Sequence, residues 1–239
     1  MARVDDLLKA ALVGIGDKPP DDSASDVKKR YSEMVSSAAA VAIADELRHR
    51  GLKEARPAPP GVLDTSGAER RMSGGIGAKK VDVTWATEES GLLLGISIKS
   101  INFRDSRSKN FQKNLTNRRG DMLFEAVTLH RRFPYAVLGG LFFLDSAAES
   151  DATTKRRSTF INTHARLRLF TGRNDPGGRD EQYEHLYILL LDASASHATY
   201  RMYRVGDWEN EVPVESALED LLKATAIRTR TSTSTKMGF

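Results

Sequence analysis

The sequence contains no cysteine, and this absence excludes several classes of protein. Disulfide bonds, zinc–thiolate clusters and thiol nucleophiles all require the missing side chain. Long apolar runs are also lacking, since the longest, Tyr135–Leu144, is far too short to cross a bilayer as a helix. The N-terminal segment Met1–Leu12 is amphipathic rather than basic and then apolar, so it does not resemble a signal peptide. We therefore expect a cytoplasmic protein with no membrane partner.

The remaining composition is typical of a globular protein of modest size. Of the 239 residues, 40% are hydrophobic and 28% are charged, and the formal net charge is +4. A chain of this length builds one good core more readily than two, so we expect a single domain. Its parts are an N-terminal helix and linker (1–25), a core (26–205), a closing helix (206–228) and a mobile tail (229–239). The small basic excess favours a polyanionic partner only weakly.

Hydrophobic periodicity predicts helices and strands in a mixed order. The helices are expected at about 1–13, 26–50, 119–132, 154–170 and 214–226, and the strands at 80–85, 92–99, 135–144, 186–191 and 199–205. This order indicates an α/β protein with a mixed central β-sheet flanked by helices. The glycine-rich stretch 74–77 is not followed by the Gly-Lys-Ser/Thr of a Walker loop, so no nucleotide cofactor is expected.

The first two predicted strands each carry an ionisable residue within an apolar run. Asp82 lies in the first strand, and Ser97 and Lys99 alternate with isoleucines in the second, so their side chains leave the same face. Burying a charge is costly unless it has a partner or a function. If the strands pair as a hairpin, Asp82 and Lys99 point into one small volume. An alternative is that Asp82 is an edge-strand acid in a solvated pair with Lys80 or Lys99.

The order of elements around these residues resembles the core of the PD-(D/E)XK nuclease superfamily, the restriction-endonuclease-like fold. A helix precedes Asp82, fourteen residues separate Asp82 from Ser97-Ile98-Lys99, and a helix and a strand follow. Val81 occupies the position of the motif's proline, which does not contact metal. Ser97 occupies the position of the usual glutamate or aspartate. The chain thus resembles the Ser-x-Lys variants, in which a neighbouring helix supplies the missing carboxylate.

Two glutamates are candidates for the missing carboxylate. Our first choice is Glu33, near the start of the long helix 26–50, where many members of the superfamily carry an acid. Our second choice is Glu125, which shares a face of helix 119–132 with Asp121. Glu46 on the long helix is a further acid in the same region.

The resemblance implies a role for each candidate. Asp82, Glu33 or Glu125, and the carbonyl of Ile98 would hold Mg²⁺, with Mn²⁺ as the expected substitute. Lys99 would orient the attacking water or neutralise charge on the phosphate, and Ser97 completes the set of motif positions.

The basic stretch Asn102–Arg119 follows the motif directly and is a candidate nucleic-acid surface. Asparagine, glutamine, lysine and arginine dominate contacts to nucleic-acid backbones. We expect such contacts from Gln112, Lys113, Asn117, Arg118 and Arg119. An exposed loop without this function is the other interpretation of the stretch.

The resemblance therefore implies a Mg²⁺-dependent DNA endonuclease acting in bacterial type II restriction or anti-phage defence. Double-stranded DNA would be the substrate, and a homodimer would cut both strands. Two alternatives remain open. One is a nuclease-like module that binds DNA or protein without cleaving it, and the other is a nuclease directed at RNA or branched DNA.

Overall fold

A computed structural model of the chain describes residues 2–59, 61–62, 70–73 and 78–236. The helices are α1 (Arg3–Val13), α2 (Ser25–His49), α3 (Leu115–Arg132), α4 (Thr159–Leu167) and α5 (Val214–Lys236). The strands are β1 (Arg70–Ser73), β2 (Ala78–Val81), β3 (Val83–Thr87), β4 (Gly91–Ile101), β5 (Val137–Asp145), β6 (His185–Ala193) and β7 (Ala198–Arg204). Within these residues, no helix is both long enough and apolar enough to cross a membrane.

Five strands form a mixed sheet in the order β3-β4-β5-β6-β7. The central pairs β4–β5 and β5–β6 are parallel, whereas β3 and β7 pair antiparallel at the two edges. Helices α1, α2 and α5 pack on one face, and α3 and α4 pack on the other. The expected α/β architecture, a mixed sheet packed against helices, is confirmed. The strands β1 and β2 form a separate small hairpin that the sequence did not predict.

Alternation along β4 distributes its side chains between the two helical layers. Leu94, Ile96 and Ile98 belong to the core cluster that contains α2, and Ser97 and Lys99 leave the strand on the opposite face, toward α3. Ser97 lies beside Gly140 of β5. A Cβ at Gly140 would lie 3.0 Å from Met122 Cε and 2.4 Å from Leu186 Cδ2, so the glycine lets α3 approach the sheet closely here.

Three predicted helices differ in length from the structure. Helix α3 begins at Leu115 rather than at residue 119. Residues 154–170 contain the shorter α4, because Asp151 and Ser158 accept hydrogen bonds from the first free backbone N–H groups, those of Thr159 and Ile161, and so define a later start. At the other end of the chain, α5 continues to Lys236, whereas the sequence predicts that it ends near residue 226. The hydroxyls of Thr225 and Thr229 in this helix donate to carbonyls four residues earlier. Residues 237–239 and the glycine-rich stretch 74–77 lie outside the described residues.

Candidate active site

Asp82 lies at a bend between β2 and β3, where the sequence pattern predicts one continuous strand. Its Oδ2 accepts a hydrogen bond from the backbone N–H of Ile98 at 2.6 Å. This hydrogen bond joins the Asp82 carboxylate to the backbone of the adjacent strand β4. It therefore holds Asp82 close to the segment that carries Lys99. The predicted antiparallel pairing of the two strands is confirmed, with Val83 opposite Ile96.

Lys99 lies against two carboxylates. Its Nζ is 3.2 Å from Oε2 of Glu125 on α3 and 3.7 Å from Oδ2 of Asp82. The exposed fractions of these side chains are 15% for Lys99, 17% for Asp82 and 5% for Glu125. We call these three residues the acid–lysine cluster. Because both carboxylates contact one ammonium group, they also lie close to each other.

The electrostatic environment keeps Lys99 charged. Burial lowers the pKa of its ammonium group, but the carboxylates of Glu125 and Asp82, and more weakly that of Asp121, raise it by more. The net result is a pKa above the ordinary value for lysine, so Lys99 is a cation at neutral pH.

Tyr183 lies behind the acid–lysine cluster and was not predicted from the sequence. It is buried, and its hydroxyl donates to the carbonyl of Met122 on α3 at 3.0 Å. Burial, followed by the charges of Glu125 and Asp82, raises the pKa of this hydroxyl well above its ordinary value, while the Ser97 hydroxyl opposes the shift. Tyr183 is therefore neutral and ties α3, which carries Glu125, to the end of the loop before β6. Its sequence context, between a glutamine and a glutamate, carries no signal for this role.

Ser97 is almost completely buried between β5 and α3, with an exposed fraction of 1%. It shares a face of β4 with Lys99, as predicted, and it lies near Tyr183 rather than in open solvent. Its hydroxyl oxygen is buried, and none of the described hydrogen bonds involves it. The second acid at this site comes from the helix.

Glu33, our first choice for the second acid, lines the same cleft as Asp82 and Lys99. Its side chain is 66% exposed and pairs with Lys29 at 3.8 Å, one turn away on α2. None of the described contacts joins it to the acid–lysine cluster. Glu46 is buried in ion pairs with Arg3 and Arg50. Of the two glutamates considered for the second acid, Glu125 is the one that lies beside Lys99.

Two members of the acid–lysine cluster, Asp82 and Lys99, line a cleft of about 660 Å³ between α2 and the segment that joins β4 to α3. Ile98 also lines it, whereas Glu125 lies behind Lys99 and is not among the described residues of the lining. Six cationic side chains line it against three anionic ones. The cations are Lys28, Lys29, Lys99, Arg104, Lys113 and Arg118, and the anions are Glu33, Asp82 and Asp105. This balance gives the cleft a net positive lining that attracts polyanions.

The predicted nucleic-acid residues are only partly brought together. Lys113 and Arg118 line the cleft, and they pair with Asp105 at 2.6 Å and with Asp121 at 3.6 Å. Asn117 is exposed on α3 outside the cleft lining. Arg119 instead lies over the ring of Phe170, with its guanidinium carbon 5.9 Å from the ring centroid. Gln112 is half-buried, with an amide nitrogen that has no partner in the described residues.

Apart from Glu33, sequence reasoning missed the residues that α2 contributes to the cleft. Ser25, Lys28, Lys29, Ser32 and Ser36 all line it. The last four lie three, four, seven and eleven residues after Ser25, and positions at these spacings share one face of a helix. The sequence therefore contained a pattern that indicates this face. The residues are polar, however, whereas hydrophobic periodicity identifies only the apolar face that packs on the core.

The donor set of the acid–lysine cluster is compatible with a hard divalent cation. Mg²⁺ is commonly held by one or two protein carboxylates, with waters and substrate phosphates completing its shell. Asp82 and Glu125 are two such carboxylates, and Ile98, whose carbonyl was predicted as a third oxygen donor, also lines the cleft. Over the described ranges, no group of three or more acidic or histidine side chains is arranged to hold a metal. The protein would therefore supply only a few of the ligands to Mg²⁺, and water and substrate phosphate would supply the others.

Comparison of the chain with protein-family models, with curated proteins and with solved structures found no significant match.

Proposed function

We propose that this protein is a Mg²⁺-dependent endonuclease that hydrolyses phosphodiester bonds in double-stranded DNA. The observation that carries the proposal is the convergence of Asp82, Lys99 and Glu125, because Asp82 and Lys99 line a cleft with a net positive lining and Glu125 lies against Lys99. The order β3–β4 hairpin, α3 and β5 supports a restriction-endonuclease-like core. A type II restriction enzyme or an anti-phage defence nuclease of a bacterial cytoplasm is the biological setting that fits this chemistry.

Each residue has a role that follows from its position. Asp82, Glu125 and the carbonyl of Ile98 would hold the metal, and Mn²⁺ should replace Mg²⁺ because it accepts the same oxygen ligands. When bound, the metal would lower the pKa of a water molecule and stabilise charge on the scissile phosphate. Lys99, a cation at neutral pH, orients the attacking water or offsets the charge that develops on the phosphate oxygens. Ser97 and Tyr183 keep α3 at the distance that brings Glu125 to this position.

Charge-neutral variants of the acid–lysine cluster test the proposal. Wild-type protein is incubated with plasmid DNA in Mg²⁺, in Mn²⁺ or in EDTA, and Asp82→Asn, Lys99→Met and Glu125→Gln are assayed beside it. We expect cleavage with either metal, none in EDTA, and a loss of at least about 100-fold in each variant. Glu219→Gln is the matched control, because Glu219 is 48% exposed on α5 and pairs with Lys223.

Folding must be monitored in the same variants, because Lys99→Met leaves two carboxylates without their cation. Thermal unfolding followed by circular dichroism separates a folded but inactive variant from an unfolded one. Full Mg²⁺-dependent cleavage by folded Asp82→Asn and Lys99→Met would refute the assignment. If RNA or a branched duplex competes better than linear duplex DNA in a competition assay, the substrate is RNA or branched DNA instead.

A second candidate function is binding of DNA or of a protein partner without cleavage. The contacts of Lys99 favour it, since one ammonium group already lies against both carboxylates and neutralises them without a metal. In that case the acid–lysine cluster is a structural ion triad. It predicts a protein that binds its partner equally well in Mg²⁺ and in EDTA and leaves plasmid DNA uncut at any metal concentration.

A further inference from the structure

The exposed face of α2 forms one wall of the cleft and carries a polar stripe. Its members are Ser25, Lys28, Lys29, Ser32, Glu33 and Ser36, and we call it the α2 wall. We propose that the α2 wall binds the sugar–phosphate backbone of a nucleic-acid duplex and places it over the acid–lysine cluster. This inference rests on the proposed function in so far as the ligand is a nucleic acid.

The chemistry of the α2 wall matches that of backbone contacts. Lysines and serines are among the side chains that bind phosphate oxygens without reading sequence. The Lys28 ammonium donates to the backbone carbonyl of Asp21 at 3.0 Å, a neutral partner that leaves its positive charge in place. Lys29 has Glu33 at 3.8 Å, but the pair is 76% and 66% exposed, so the attraction between them is weak.

The opposite wall also carries positive charge. Its cations are Arg104, Lys113 and Arg118, and its acid is Asp105. Lys113 and Arg118 pair with carboxylates, as described above, and Arg104 lies over the ring of Phe111 at 5.4 Å. A duplex bound to the α2 wall would therefore meet cations on both sides of the cleft.

The α2 wall is fixed to the strand that carries the catalytic lysine. The Ser32 hydroxyl accepts a hydrogen bond from Asn102 Nδ2 at 3.2 Å, and the Ser32 carbonyl accepts one from the Ser100 hydroxyl at 3.5 Å. Ser100 follows Lys99 directly on β4. A phosphate held on α2 is thus held at a set distance from the acid–lysine cluster, so the wall would position substrate as well as attract it.

The aromatic residues of the cleft indicate a duplex rather than a single strand. Proteins that bind single strands stack bases on available aromatic faces. Among the described lining residues the aromatic rings are Phe103 and Phe111. Phe111 is buried, and Phe103 packs edge-on against Tyr31 with Lys18 Nζ 5.3 Å from its ring centroid. Phe111 therefore offers no face on which a base could stack, and Tyr31 and Lys18 crowd the half-buried ring of Phe103.

The test measures binding separately from cleavage. The variant Lys28→Glu/Lys29→Glu is compared with wild type for binding of duplexes of unrelated sequence in Ca²⁺ and in EDTA, over a range of salt concentrations. We expect binding at least tenfold weaker for every sequence, and a slope of log Kd against log salt reduced by about 2. Lys53→Glu/Lys223→Glu is the control, because it changes the net charge equally at exposed lysines that do not line the cleft. It should bind almost as wild type does.

The outcomes distinguish this inference from the proposed function. Wild-type affinity in Lys28→Glu/Lys29→Glu, or an equal loss in the control variant, would overturn the role of α2 even if the wild-type enzyme cleaves DNA. Tighter binding of a single strand than of a duplex of the same length would also overturn it. If wild type binds but does not cleave, and the α2 variant alone loses affinity, the α2 wall stands and the endonuclease assignment fails.

Discussion

At the scale of single residues, the carboxylate nearest Lys99 comes from helix α3, because a serine and not an acid occupies the neighbouring position on the same face of β4. Ser97 lies where the resemblance places a carboxylate, but it is buried between β5 and Tyr183. A carboxylate there would lose its hydration and lie beside a neutral phenol, which is unfavourable without a cation. Glu125 avoids that cost because it lies against the Lys99 ammonium.

Replacement of Glu33 tests which glutamate serves the site. The sequence favours Glu33, whereas the contacts favour Glu125. We expect Glu33→Gln to cleave DNA at least as fast as wild type and to bind duplex DNA a few-fold more tightly, because it removes an anion that faces Lys29. Cleavage rates and Kd values in Ca²⁺ measure the two effects. If Glu33→Gln loses as much cleavage activity as Glu125→Gln does, Glu33 also serves as an acid of the site and the prediction is wrong.

The sequence identifies Asp82 and Lys99 more directly than it decides between Glu33 and Glu125, and this difference has a physical cause. Asp82 and Lys99 were predictable because pairing of neighbouring strands and alternation along one strand are local rules. The choice between Glu33 and Glu125 depends on how two helices rotate and lie on opposite faces of the sheet. That rotation follows from close packing of buried side chains such as Met122 beside Gly140, which hydrophobic periodicity does not specify.

At the scale of elements, a buried ionic network joins β5, α3, α5 and the loop before β6. The Glu184 carboxylate accepts a hydrogen bond from the backbone N–H of Leu138 at 2.6 Å and forms an ion pair with Arg228 at 2.8 Å. Arg173 and His130 lie 3.7 and 3.6 Å from its carboxylate. All four ionisable side chains are buried. The network therefore holds the helix that carries Glu125 to the start of the central strand.

Removal of the carboxylate from this network should destabilise the fold strongly. Glu184→Ala leaves buried arginines without their shared anion, and we expect the free energy of unfolding to fall by about 3–5 kcal/mol. Chemical denaturation at neutral pH measures the change.

Glu149→Ala is the matched control for that substitution. Glu149 also pairs with an arginine, Arg201 at 2.5 Å, but the two side chains are 44% and 41% exposed. We expect its removal to cost less than about 1 kcal/mol. Equal losses in the two variants would show that burial does not set the contribution of the Glu184 network.

At the scale of the whole molecule, the element order was more predictable than the details at its ends. The central strands are long apolar runs, and their identification needs only composition and length. The small β1–β2 hairpin was missed because its strands are short and lie next to a glycine-rich stretch. The extension of α5 was missed because threonine and serine have low helix propensity, so a stretch rich in them does not predict a helix.

The number of acid–lysine clusters per molecule leads to a prediction about assembly. Within its described residues the chain carries one such cluster at one cleft, so under the proposed function each chain would cut one strand at a time. If the protein acts as a homodimer, two symmetry-related clusters cut the two strands of one duplex. Supercoiled plasmid should then be converted directly to the linear form.

Co-expression of wild-type and Lys99→Met chains in equal amounts tests this arrangement. Random pairing leaves about half of the dimers with one active cluster, so we expect nicked circles to accumulate at the expense of linear DNA. A parallel mixture with Glu219→Gln chains should give the wild-type product pattern. If the Lys99→Met mixture only slows the reaction and leaves the ratio of nicked to linear product unchanged, each chain acts alone and the homodimer is wrong.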